Sequence, residues 1–79
     1  MLIMEKTSRR LASFLKEKRQ ERGLTQEQLA SLAKIEYKHV QNLESFKRVN
    51  DPKLSTLVKL AAAFEVSVCE IVEYLFRDI

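Results

Sequence analysis

Residues 24–44 read LTQEQLASLAKIEYKHVQNLE, two short helical patterns with a break between them. Thr25 and Gln28 make a T-x-x-Q capping box, in which the hydroxyl accepts from the amide three residues on and the glutamine side chain reaches back to the Thr25 N–H. A helix therefore starts at Thr25. Leu29, Ala30 and Ala33 fall on one face of it, and the methyl-sized side chain at position 30 lets a second helix approach closely. After Ala33 the pattern stops and restarts. Val40 and Leu43, spaced i, i+3, turn inward from a helix running from near Glu36 to near Ser45, and Ile35 is placed to plug the gap between the two helices. At about 100° per residue, the outward side of this helix carries Lys38, Gln41, Asn42 and Ser45, with Tyr37 and His39 on its flanks. Almost every group on that face can form hydrogen bonds.

The flanking chain supplies the apolar surface such a pair needs. Before it, Leu11, Phe14, Leu15 and the stem of Lys18 recur at i, i+3, i+4, i+7, which predicts an amphipathic helix from about Ser8 to Arg22. Gly23 ends that helix as the residue free to take positive φ. Residues 1–7 are expected to be an N-terminal arm, frayed or lying over part of the core, ahead of a single domain at 8–79. After the pair, FKRVNDPK is a loop of turn formers. Asp51 is the expected N-cap and Pro52 the first position of a fourth helix, LSTLVKLAAAF, which turns Leu54, Leu57, Leu60, Ala61 and Phe64 to one side. Ser67 and Glu70 form a second capping box and open a fifth helix to about Arg77. Its apolar residues Val68, Ile71, Val72, Leu75 and Phe76 exceed what one buried stripe requires. The surplus predicts a covered face, most simply by a second copy of the chain.

Composition narrows the class further. A chain of 79 residues supports one small core, and 46% hydrophobic with 32% charged residues fits a folded domain rather than a disordered one. One Gly and one Pro leave little turn chemistry for hairpins, so an all-α fold is expected. One Cys and one His offer no disulfide and no metal cluster, no cofactor is implied, and Cys69 is expected to be a small buried hydrophobe. His39 reads as a surface histidine. No run reaches the roughly 18 apolar residues of a spanning helix, and the apolar start is too short for a signal peptide, which predicts a cytoplasmic protein with no membrane partner. Paired carboxylates, an activated nucleophile and a glycine-rich phosphate loop are lacking, so no enzyme is expected, and no small-molecule ligand is evident. The net charge of +3 is unevenly spread. Residues 1–59 hold 13 Lys and Arg against 7 acids, whereas residues 60–79 hold 1 against 4. A basic first part suits a polyanion.

Two helices joined by about three residues and braced by others are the arrangement of helix-turn-helix domains. The sequence resembles the Cro and phage-repressor type of that family, the XRE class, over residues 9–76. The resemblance is carried by Arg19, GLTQE at 23–27, Leu29, Ala30, Ala33, Val40, Leu43, Glu44, Pro52, Leu54, Thr56, Leu57, Lys59, Leu60, Ala61 and the VSVCEI run from Val66. It implies an all-α, five-helix domain that binds double-stranded DNA as a homodimer, its third helix in the major groove. By position, Gln26 matches a phosphate contact, and Tyr37, Lys38 and Asn42 match residues that reach base edges, with Gln41 beside them. Lys can donate to guanine O6 and N7, and Asn can pair bidentately with adenine. Lys47 and Arg48, just past the reading helix, are expected at phosphates. Arg19 and Glu44 match a family ion pair. Val68, Ile71, Val72, Leu75 and Phe76 are the expected dimer contacts.

Four departures bear on this reading. Lys34 stands where the family usually has Gly in the turn. Glu36 takes the place of a small hydroxyl cap and sets a carboxylate where phosphate is expected. Phe46 replaces a frequent Gly, and the loop before Pro52 is about two residues longer than the common form. A second reading therefore stays open, in which the fold is a protein-interaction module, such as an antitoxin or a regulator that binds a protein partner.

Overall fold

Leu11, Phe14 and Leu15 lie on one face of the first helix, and the other helices are gathered around that face. The computed structural model describes residues 2–77. They form α1 (Leu2–Glu21), α2 (Gln26–Ala33), α3 (Tyr37–Leu43), α4 (Leu54–Phe64) and α5 (Val68–Phe76), with no strand among the described residues. The fold is all-α and five-helical. Its core joins Leu11, Phe14 and Leu15 of α1 to Leu29, Ala30 and Ala33 of α2, Val40 and Leu43 of α3, Leu60, Ala61 and Phe64 of α4, and Ile71 and Leu75 of α5. Ile35 packs against this core, as the gap-plugging role requires. The Phe14 ring meets Phe64 edge-on at 6.3 Å and Tyr74 at 5.1 Å, so one aromatic side chain ties α1 to both C-terminal helices.

Three of the helices end in the same way. After α1, Gly23 at φ 65° sends its N–H to the Gln20 carbonyl while the Leu24 N–H reaches Arg19. After α2, Lys34 and Ile35 repeat both bonds to Ser31 and Ala30, and after α4, Glu65 and Val66 repeat them to Ala62 and Ala61. Each is a Schellman ending, whose left-handed residue is ordinarily glycine. Here Lys34 and Glu65, both at φ 58°, hold that conformation with long side chains. Arg22 offsets part of the cost at Glu65. Its guanidinium donates to the last carbonyl of α4, at Phe64, and pairs with the Glu65 carboxylate, placing a cation at the negative end of the helix.

Several boundaries differ from expectation, each for a local reason. Residues 2–7 continue α1 instead of forming an arm. Thr7 Oγ1 donates to the Ile3 and Met4 carbonyls, and Met4 lines a cleft of about 160 Å³ with Leu11, Leu57 and Leu75. Met1 lies outside the described residues. The N-cap of α4 is Lys53, not Asp51: its carbonyl receives the Thr56 and Leu57 amides, and Asp51 and Pro52 stay outside the helix. Leu54 is 68% exposed rather than in the core, because each i+3 step falls about 60° short of a turn and the Leu54–Leu57–Leu60 series drifts off the buried face. Thr56 takes the buried place. Ser67 caps α5 by accepting the Glu70 amide, but the Glu70 side chain does not return a bond to the Ser67 N–H, so the expected capping box is only half formed. Cys69 is exposed, not a buried hydrophobe, since Ile71 and Leu75 set the inward direction of α5 and position 69 points away from it.

Candidate nucleic-acid interface

A seven-residue helix is too short to persist alone in water, so α3 depends on whatever docks it. Its inner side is held by Val40, fully buried, and Leu43, almost so. Its C-terminal end is held by Glu44. The Glu44 carboxylate accepts from Arg19 Nε at 2.9 Å, from Arg19 Nη2 at 3.0 Å and from Gln26 Nε2 at 3.1 Å. Arg19 Nη1 donates to the Leu24 carbonyl. One guanidinium thus joins the last turn of α1, the turn into α2 and the end of α3. The Glu44 side chain is only 4% exposed, and the hydrogen bonds it accepts hold the Arg19 guanidinium above its ordinary range despite a burial that works the other way.

The N-terminal end of α3 is fixed more loosely. Glu36 caps it through its backbone carbonyl, which accepts from His39 and Val40, with no side-chain cap bond. At Lys34, where the family usually has Gly, the turn is left-handed. It swings the chain so that α2 and α3 share the core through Ala30, Ala33, Val40 and Leu43 while the other side of α3 faces out.

On that outer side Tyr37, Lys38 and Gln41 are exposed, and Asn42 and His39 are half-buried. Beside them a groove of about 730 Å³ runs to the start of α2, lined by Lys16, Thr25, Gln26, Tyr37, Gln41 and Ser45 among others. The complete capping box at Thr25 uses the Thr25 and Gln28 amides, which leaves the amides of Gln26 and Glu27 as the unpaired donors of the first turn. Gln26 stands at this groove but gives one amide hydrogen to Glu44, a role its motif position did not disclose.

Past α3, Lys47 and Arg48 are exposed on a loop whose backbone is tied down at several points. Ser8 on α1, 3% exposed, donates to the Arg48 carbonyl at 3.2 Å and accepts from the Asn50 N–H at 2.8 Å. Asn50 Nδ2 donates to the Asn42 carbonyl at 2.8 Å. Ser8 and Asn50 escaped the sequence reading. The signal for Ser8 was its spacing, three and seven residues before Leu11 and Leu15, which puts a hydroxyl on the apolar face, where it must find a partner.

The five residues expected at a dimer contact divide. Ile71 and Leu75 are buried in the chain's own core and Val68 is half-buried against it, because a helix of nine residues must first cover α1 and α4. Val72 at 38% and Phe76 at 50% remain exposed, as do Leu54 and Val58 on α4. Among the described residues no group of His, Cys, Asp and Glu is disposed to hold a metal ion, and no helix is long and apolar enough to cross a membrane.

A short helix crossing its predecessor through small side chains, locked at one end and polar on its outer face, defines a helix-turn-helix protein. The family model described as helix-turn-helix matches residues 15–71 of the 79. The chain belongs to the Cro and phage-repressor, or XRE, type of helix-turn-helix family, a family of DNA-binding domains of transcription regulation. No curated protein matches it.

Proposed function

We propose that the chain is a sequence-specific double-stranded DNA-binding transcriptional repressor, acting as a homodimer on a palindromic operator. The observation that carries this reading is the outer face of α3, where Tyr37, Lys38 and Gln41 stand exposed on a helix whose other side and C-terminal end are fixed. In the major groove these three, with Asn42, read base edges, and Gln26, Lys47 and Arg48 engage phosphates on either side. Two such faces about one helical turn apart, roughly 34 Å, match a palindrome. The second copy is met through exposed apolar side chains of α4 and α5, Leu54 and Val58 with Val72 and Phe76. Occupancy of an operator is itself enough to block transcription, and repression is the sign proposed.

In vitro selection of bound duplexes, followed by a salt titration, tests the proposal. A palindromic consensus whose affinity falls steeply with salt is the expected result. Absence of duplex binding at low salt sinks it. A second reading, a protein-interaction module on the same fold, is favoured by Phe46 and Val49, 57% and 56% exposed beside α3, and it takes over in that outcome.

A further inference from the structure

Lys47 and Arg48 are the first cations that follow α3 along the chain, and long side chains on a free loop would lose much rotational freedom on meeting a phosphate. Their backbone is not free. The Ser8 hydroxyl takes part in two bonds to the segment, one to the carbonyl of Arg48 and one to the amide of Asn50, so the two residues either side of Val49 are pinned to a single atom of α1. Asn50 carries the tie onward to the Asn42 carbonyl in the last turn of α3. Ser45 Oγ accepts the Lys47 amide and fixes the near end. Ser8 is 3% exposed, so water cannot replace its bonds without the loop lifting off α1.

We infer that Ser8 and Asn50 are positioning residues for DNA binding, which hold the Lys47–Arg48 segment at a fixed distance from the reading helix so that both cations meet the phosphate backbone together. Neither side chain touches DNA. Their effect passes through the loop, and it is separate from the Arg19–Glu44–Gln26 lock, which fixes α3 itself. The loop, longer than the family's common form, needs the tie because its added residues would otherwise let the cations drift. The inference rests on the DNA-binding reading of the same surface.

The test is a double-mutant cycle on the full chain with a selected duplex, read as affinity against salt concentration. Each phosphate contact contributes about 0.9 to the slope of log affinity on log salt, so Ser8→Ala is expected to lower the slope by up to about 2 and the affinity by roughly ten- to a hundredfold. The base consensus is unchanged, since α3 keeps its own lock. In a Lys47→Ala/Arg48→Ala background, Ser8→Ala changes affinity less than about twofold, because the groups it positions are gone. An equal loss in both backgrounds, or an unaltered slope, overturns the inference. If Ser8→Ala does not fold, Asn50→Ala replaces it in the same cycle, with the same two outcomes read the same way. Failure of the DNA-binding reading is distinct: the unaltered chain then binds no duplex at all.

Discussion

Lys34 and Glu65 occupy left-handed backbone that costs a residue with a Cβ about 1 kcal/mol relative to glycine. Lys34 is exposed and gains no compensating bond, so Lys34→Gly is expected to stabilise the domain by about 1 kcal/mol, a rise of roughly 4–8 °C in Tm by calorimetry. Glu65→Gly should gain less, because it also gives up the contact with Arg22. The opposite case is Glu44, whose buried carboxylate satisfies three donors. Glu44→Ala leaves the largely covered Arg19 guanidinium with only the Leu24 carbonyl to accept from it, and a loss of about 3 kcal/mol in urea unfolding is expected. Tyr74 gives a pH dependence. Burial and the neighbouring Glu17, which accepts its hydroxyl, raise its pKa above 10.0. A pKa higher in the folded than in the unfolded state means that the contribution is complete below the unfolded value and lost as pH rises through the folded one. Chemical unfolding midpoints compared at about pH 8 and about pH 11 should therefore fall further for the natural chain than for Tyr74→Phe.

Within the helix pair, what was legible in the sequence was what depends on local spacing. Thr25 with Gln28 fixed the start of α2, and Ala30, Ala33, Val40 and Leu43 gave its contact with α3, because caps and periodicity act over three or four residues. Long-range polar ties were not legible. The bonds of Ser8 to residues 48 and 50 and of Gln26 to Glu44 join residues 18 to 42 apart, and no period encodes which donor meets which acceptor. The start of α4 was misplaced for a related reason. Asp51–Pro52 has the composition of a helix start, but the chain first has to return from the tie at Asn50, and Lys53 becomes the first carbonyl free to begin the ladder. On α3, the proposed reading helix, Lys38→Ala and Gln41→Ala are expected to relax preference at particular base pairs by about 1–3 kcal/mol each, and Arg48→Ala is expected to weaken all duplexes alike, measured by competition binding against base-substituted sites.

Across the whole molecule, charge and apolar exposure separate. The 13 Lys and Arg of residues 1–59 include Lys38, Lys47 and Arg48 on and just after α3, and two of the four acids of residues 60–79, Glu70 and Glu73, lie on α5, so a dimer built through α4 and α5 would leave that basic surface open. Val72→Glu with Phe76→Glu is expected to yield a folded monomer by sedimentation equilibrium, with operator affinity much reduced; a persistent dimer would move the contact elsewhere. The residues that could do this were only partly legible, since Ile71 and Leu75 look the same in sequence as Val72 and Phe76 and differ only in what α1 and α4 already cover. The guanidinium of Arg19 has one more consequence, for motion. Because it bonds the C-cap of α3 and the turn after α1, the hydrogen-bonded amide protons in the last turn of α3 are expected not to exchange with solvent by fraying of that end on its own. They should exchange when that junction opens, so the end of α3 is expected to open and close as one cooperative unit with the end of α1.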